Sequence, residues 1–541
     1  MTISLGYASA QARQPAIASA HPLATAAGLQ IIKEGGNAFD AAVAVSAVLA
    51  VVEPYSSGLG GGGFWLLHRA KDQFEVMIDG REKAPLAANR DMYLDESGEM
   101  IEGLSINGAL AAGIPGEPAA LAHIAKNYGR LPLGQSLQPA IKFAEQGFPV
   151  NRVYRSMMSF RSDAIQQAGD GADIFLHNSE PPELGEIIRQ PDLAKTLRLI
   201  AAKGHAGFYH GELAQALVSG VQGAGGIWTE KDLADYQIIE RPPIKGRYRN
   251  VEITTAALPS SGGIVLLETL NQLEGFNLNA QSEAGLIHLI TESMRRGYRD
   301  RAEYLGDSDF VDVPIQALIS KDYARELRGY FNPDKATASD TMKSVAVKGS
   351  EGRDTTHFSI LDSEGNRVAA TLSINYPFGS GFVPPGTGIL LNDEMDDFSS
   401  KPGTPNVYGL VGNEANAIEP GKRMLSSMTP TFLDDGERVA VIGTPGGSRI
   451  ITMVLLGTLA FEQGASAAEI VAVPRFHHQY LPDKIEVEDG AISAAAQTEL
   501  KAMGHDIQPF KWVPGDMQVI VYDRKSSTTE SASDPRGIGG E

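Results

Sequence analysis

The chain has no cysteine, which excludes disulfides, a thiolate nucleophile and any Cys-ligated metal. The redox compartment stays open, because a cysteine-free protein tolerates oxidising and reducing settings alike. Positive charge is also short. Lys and Arg number 46 against 66 Asp and Glu, a formal net charge of −20. Nucleic acids and anionic membrane surfaces attract basic proteins, so neither is an expected partner. No apolar run is long enough to span a bilayer. The longest, residues 41–52, is broken by Ser46 and bounded by Asp40 and Glu53; a spanning helix needs about 20 residues. Residues 1–8 carry neither a basic n-region nor a long apolar stretch. The chain therefore reads as cytoplasmic, or as a protein numbered without its leader. Neither a P-loop nor a G-x-S-x-G elbow occurs.

What is present is ordinary globular material: 541 residues, 43% hydrophobic and 21% charged, with 59 glycines. Length alone would suit three or four domains. Helical and strand patterns alternate, however, with no fixed repeat and no low-complexity linker, so one large interleaved α/β unit is expected. Helices are predicted over 22–34, over the Ala/Val-rich stretch that Asp40 precedes, over 137–146, and over 286–304, the last with basic and acidic sides. Strands are predicted over 64–68, 75–78, 357–361, 368–374 and 439–442.

The segment Asp354-Thr355-Thr356-His357-Phe358-Ser359 joins a charged, weakly patterned stretch to a predicted strand. Cutting the bond before Thr355 would expose a hydroxyl nucleophile together with its own base, the new terminal amine. An α-amino group has a pKa of about 7.7–8.0, so it is partly neutral near pH 7 and can take the hydroxyl proton. On its own the segment also reads as a Thr-rich strand start.

Other groups supply matching chemistry. Gly446-Gly447, between a strand and a helix start, offers two successive amides for a developing oxyanion; the same pair would serve a tight turn. Arg81 suits bidentate capture of a carboxylate. Ser426 and Ser427 offer hydroxyl donors. Asn375, Glu394 and Asp397 can together hold an ammonium group, although residues 393–397 also read as a solvated acidic face. Gly58 to Gly63 matches G-x-G-x-x-G, but the helix comes before the glycines and the strand after, the reverse of a dinucleotide site. Close backbone packing or a substrate-lining loop is expected there. His477-His478 lacks further ligands for a metal, and His357 is expected to be structural. No metal or cofactor is called for.

In this order these residues resemble the gamma-glutamyltransferase (gamma-glutamyl transpeptidase) family of N-terminal-nucleophile hydrolases. The resemblance runs through residues 20–24, 35–42, 57–63, 115–116, 259–263, 354–359, 390–392, 395–398, 425–428, 444–449 and 474–478. It implies an α/β fold, a four-layer αββα sandwich built jointly by fragments 1–354 and 355–541, which stay associated. It implies Thr355 as nucleophile, Ser373 as support for its amine, and Gly446 and Gly447 as oxyanion amides. Arg81, Ser426 and Ser427 would bind the donor's α-carboxylate, and Asn375, Glu394 and Asp397 its α-amino group. Tyr408, within residues 402–413, would belong to a lid over the donor pocket. The implied substrates are glutathione, other γ-glutamyl compounds, and amino-acid or peptide acceptors. The implied location is periplasmic or secreted. Two other readings compete: a related acylase of the cephalosporin acylase or poly-γ-glutamate depolymerase type, and an unprocessed binding protein of the same fold.

Overall fold

The computed structural model describes residues 13–167, 169–342, 355–401, 403–512 and 514–540. Two six-stranded sheets form its centre. The first runs in the order Ala16–Ser19, Thr356–Leu361, Arg367–Ser373, Gly62–Arg69, Phe74–Gly80, Ile239–Arg241, antiparallel throughout. The second runs Thr528–Ser533, Gln518–Asp523, Arg438–Gly443, Thr431–Asp434, Val251–Thr255, Ile244–Tyr248, also antiparallel. Each sheet mixes strands from before and after Thr355. The sheets stack face to face. Helix Ala38–Val52 covers the outer face of the first, and helices Gly262–Leu273 and Ile450–Glu462 cover the second. This is the expected αββα sandwich.

Strand parity explains the layering. Phe358 and Ile360 join the apolar core beneath helix Ala38–Val52. Ser359 points the other way, and its Oγ donates to the carbonyls of Val441 (3.2 Å) and Gln518 (3.0 Å) on the second sheet. His357 shares that side. Its ring packs on Gly443 and its Nδ1 lies 2.8 Å from Thr371 Oγ1. Burial pushes its pKa down to about 3, so it is a neutral inter-sheet group, as expected.

One helix reading needs correction. Asp40 does not precede its helix. The helix begins at Ala38 with Asn37 as cap, and Asp40 closes a capping box from the third position. In helix Glu283–Tyr304 the charges of the middle turns face inward, while Glu283 and Glu303 at its ends stay exposed. Arg295 and Arg296 are buried and pair with Glu292 at 3.2 and 2.7 Å. Among the described residues no helix is long and apolar enough to cross a membrane.

Candidate active site

Thr355 sits at the head of strand Thr356–Leu361 and is buried. Beside it runs the glycine loop. A Cβ on Gly60, Gly61, Gly62 or Gly63 would overlap the backbone carbonyl of Leu390, Ser373, Gly80 or Thr371 respectively. Close backbone packing, one of the two readings given to these glycines, is therefore their role. It lets the segments carrying Ser373, Arg81 and residues 390–397 converge on one point.

Ten of the eleven expected site residues line one pocket there: Arg81, Thr355, Ser373, Asn375, Glu394, Asp397, Tyr408, Ser426, Ser427 and Gly447. Its free volume is about 20 Å³, room for about one water molecule. Gly446, the eleventh, lines a larger cavity that also includes Thr355.

The pocket is buried and lined by charged groups. Arg81 is wholly buried and donates through Nη1 to Glu394 and through Nη2 to Asp397 (2.5 Å); its Nε donates to Met424 O at 3.3 Å. Burial opposes the guanidinium charge, but Glu394, Asp397 and Glu82 outweigh it and hold Arg81 cationic. Burial, Asp397 and Asp396 push Glu394 up to about 7 against the pull of Arg81. Burial likewise raises Asp397. The acidic stretch 393–397 is thus a pocket wall, not a solvated face. It is buried because residues 394–397 form a short 3-10 turn against Arg81 and Ser105, whose Oγ donates to Asp396 at 2.7 Å.

Asn375 has a positive φ of 74°, which Asn tolerates better than most residues. Its amide donates to Asp393 O (3.0 Å), and its backbone N–H donates to Ser373 Oγ (2.8 Å). The Tyr408 hydroxyl donates to Asn375 O at 2.7 Å. Asn406, two residues earlier, donates to Asp397 Oδ1 at 3.0 Å and accepts from the N–H groups of Tyr408 and Leu410. The 403–413 segment therefore folds over the pocket, with Tyr408 buried.

Gly446 and Gly447 have φ of 136° and 56°. A Cβ on Gly446 would press on Met453, and one on Gly447 would overlap the Tyr408 ring. Only glycine fits both the backbone and the space. Gly447 opens a 3-10 turn, Gly447–Arg449, that leads into helix Ile450–Glu462.

The family model for gamma-glutamyltranspeptidase matches residues 24–541. The chain belongs to the gamma-glutamyltranspeptidase family. Within the family it is 45% identical over 498 residues to a glutathione hydrolase proenzyme from Pseudomonas sp. (strain A14), covering 90% of this chain and 85% of that one. It is 42% identical to the glutathione hydrolase proenzyme of Escherichia coli (strain K12), covering 98% and 91%. Among solved structures it resembles a cephalosporin acylase from Bacillus halodurans, with TM-score 0.84, 28% identity and coverage of 99% and 98%.

Sequence reasoning missed several supporting residues. Arg301, near the end of helix Glu283–Tyr304, is buried behind the pocket. Its Nε donates to Ser261 Oγ (3.0 Å) and its Nη2 to Ser427 Oγ (3.3 Å). The Pro259–Gly263 stretch braces Ser426: Ser261 N and Oγ both donate to Ser426 O, at 2.8 and 2.6 Å. The spacing of Arg301 in a long charged helix gave no sign that this face was inward. Glu82, wholly buried, lies 3.7 Å from Arg81 Nη1, and neither of its oxygens has a hydrogen-bond partner. Burial and Glu394 raise its pKa well above normal. The His477 and His478 rings bond to Thr452, Gln479, Asp483 and the Tyr480 amide. His288, Glu292 and His505 do bring three possible metal ligands together, but Glu292 is already held by Arg295, Arg296 and Thr337.

Proposed function

We propose that the chain is the precursor of a gamma-glutamyltransferase and glutathione hydrolase that cuts itself between Asp354 and Thr355. Asp354 lies outside the described residues; the reading rests on Thr355 and on relatives named as proenzymes. Fragments 1–354 and 355–541 would stay together, which the mixed strand order of both sheets supports. In the cut protein the Thr355 amine takes the hydroxyl proton, and Oγ attacks the γ-amide carbon of the donor. The amides of Gly446 and Gly447 hold the oxyanion. The leaving amine takes the proton and departs, for glutathione as cysteinylglycine. A γ-glutamyl ester on Thr355 then passes to water or to an amino acid or peptide amine.

One observation carries this reading: a buried guanidinium and two carboxylates sit in the same small pocket as Thr355. Arg81, Ser426 and Ser427 offer donors for an α-carboxylate. Asn375, Glu394 and Asp397 offer acceptors for an α-ammonium. Arg81 already spans to Glu394 and Asp397, so the donor's zwitterionic head enters by exchange: its carboxylate takes the guanidinium and its ammonium takes the acids. Tyr408 closes the pocket behind it. A glutaryl group lacks the ammonium and would leave those acids unpaired, which disfavours the acylase alternative. Incubating the purified protein with glutathione should release glutamate and cysteinylglycine, and a glutaryl amide should turn over far more slowly. Equal turnover of both would favour the acylase. An exported location, periplasmic or secreted, belongs to the same proposal and is tested by cell fractionation.

A further inference from the structure

One face of helix Glu283–Tyr304 reaches both halves of the site. Tyr298 and Arg301 lie three residues apart and so share that face. The Tyr298 hydroxyl donates to Ser448 O, in the turn that Gly447 opens. The Arg301 guanidinium donates through Nη2 to Ser427 Oγ at 3.3 Å and through Nε to Ser261 Oγ at 3.0 Å. Arg301 is buried and makes no ion pair among the described residues. Burial lowers its pKa to about 10 against the pull of Asp397, so it stays cationic at neutral pH. Burying a cation against neutral hydroxyls alone is costly; a carboxylate arriving at those serines would offset the cost.

These bonds fix where the pocket's hydroxyl protons go. A serine hydroxyl has one proton to give and lone pairs that accept. An arginine N–H can only donate, so Ser427 Oγ is the acceptor toward Arg301 and keeps its own proton. Ser426 Oγ is held as an acceptor in the same way, by the Met428 N–H at 3.1 Å. Ser261 gives its proton to Ser426 O at 2.6 Å, so it too meets Arg301 as an acceptor. Ser426 and Ser427 both line the head pocket, and each has an O–H left to donate there. Two such donors with a cation behind them suit a carboxylate. The charges agree. Arg81 faces Glu394 and Asp397, with Glu82 at 3.7 Å. Burial and Glu394 raise the Glu82 pKa well above normal, which keeps that carboxyl neutral. Two carboxylates then face one guanidinium, and a zwitterionic donor adds one charge of each sign. Arg301 is the second cation, and it stands on the side of the serines.

We infer that Arg301 is a positioning residue for the donor's α-carboxylate: without touching the substrate, it turns the Ser427 hydroxyl proton toward that carboxylate and supplies the second cation of the head pocket. The inference rests on the proposed γ-glutamyl donor and deepens it. Arg301 then helps to set donor choice, because a donor with no α-carboxylate gains nothing from it. Its contribution lies in holding the head group, which is bound alike before and during the reaction, so it acts on KM and leaves kcat little changed.

The test uses the mature enzyme and two donors, a γ-glutamyl anilide and a 4-aminobutyryl anilide that lacks only the α-carboxylate. Arg301→Met removes the charge and the N–H donors but keeps an unbranched side chain. It should raise KM for the γ-glutamyl donor by about tenfold or more, with kcat and the turnover of the 4-aminobutyryl donor within a few-fold of wild type. Arg301→Lys should recover part of that KM, since it restores the charge but not the fork. Tyr298→Phe disturbs the same helix face without touching the serines, so the ratio of kcat/KM between the two donors should stay at its wild-type value. Ser261→Ala removes one of the two anchors of the guanidinium and should show a smaller rise in KM, again for the γ-glutamyl donor alone; it carries the test if the Arg301 variants do not mature. Equal losses on both donors in Arg301→Met, a fall in kcat at constant KM, or a wild-type KM in Ser261→Ala would overturn the inference. So would a shift in the donor ratio of Tyr298→Phe as large as that of Arg301→Met. Unaltered enzyme that uses both donors equally well would instead sink the α-carboxylate reading beneath it.

Discussion

Replacing Arg81 tests the head-group pocket most sharply. Its guanidinium is wholly buried and forked, with Nη1 on Glu394, Nη2 on Asp397 at 2.5 Å and Nε on a backbone carbonyl. Around it are Glu394, Asp397 and Glu82, so it is the counter-charge for three acids. A donor carboxylate bound here in Arg81→Ala would meet acids, with Arg301 behind Ser427 the nearest remaining cation. A buried, hydrogen-bonded charge pair lost in this way costs about 2–5 kcal/mol. That corresponds to a fall in kcat/KM of about 30-fold to about 5,000-fold. Arg81→Lys keeps the charge but can satisfy only part of the fork, so its loss should lie between wild type and Arg81→Ala. The assay is kcat/KM for a γ-glutamyl anilide, run beside a 4-aminobutyryl anilide that lacks only the α-carboxylate. For that second donor the loss should shrink to a few-fold, because nothing remains for Arg81 to grip. Near-wild-type activity of Arg81→Ala would remove this residue from the site. An equal loss for both donors would show that Arg81 organises the pocket without touching the carboxylate.

Three further outcomes are expected. Wild-type protein should prefer γ-glutamyl over glutaryl anilide, in the favourable case by about 10⁴-fold, and Asp397→Ala should cut that preference about tenfold or more; an unchanged ratio would take Asp397 out of the ammonium site. Gly447→Ala must adopt a φ of 56° and push against the Tyr408 ring, so kcat should fall by about 10²–10³, and a normal kcat would refute the oxyanion role. Glu117 is wholly buried, neither oxygen has a hydrogen-bond partner, and burial raises its pKa to about 8. Its contribution to stability is full below the unfolded value of 4.5 and is lost as pH rises through about 8. Glu117→Gln should therefore gain on wild type between pH 5 and 9, by up to a few kcal/mol, in thermal unfolding; parallel pH curves would contradict this.

Much of the site was legible because its chemistry is carried by short local signals. Thr355 stands at a strand start, two glycines stand between a strand and a helix, and a run of glycines marks crowded backbone. The strands around them were readable because Phe358 and Ile360 alternate with His357 and Ser359. What was hidden depends on contacts between distant segments. Arg301 and Ser427 meet only when helix Glu283–Tyr304 is packed against helix Gly262–Leu273. Residues 393–397 read as a solvated face because periodicity cannot report that Arg81, more than 300 residues away, neutralises them. Asp40 was placed outside its helix because an acid before an apolar run fits a cap as well as the third position of a capping box.

The central claim is that Thr355 becomes a chain terminus and then the nucleophile. Intact mass and N-terminal sequencing of the purified protein decide it. The account predicts two associated fragments, of 354 residues and of the remaining 187 of the 541, the smaller beginning Thr355-Thr356-His357, and a single inactive chain for Thr355→Ala. An active wild-type protein that remains one chain, or a Thr355→Ala protein still cut before residue 355, would contradict it.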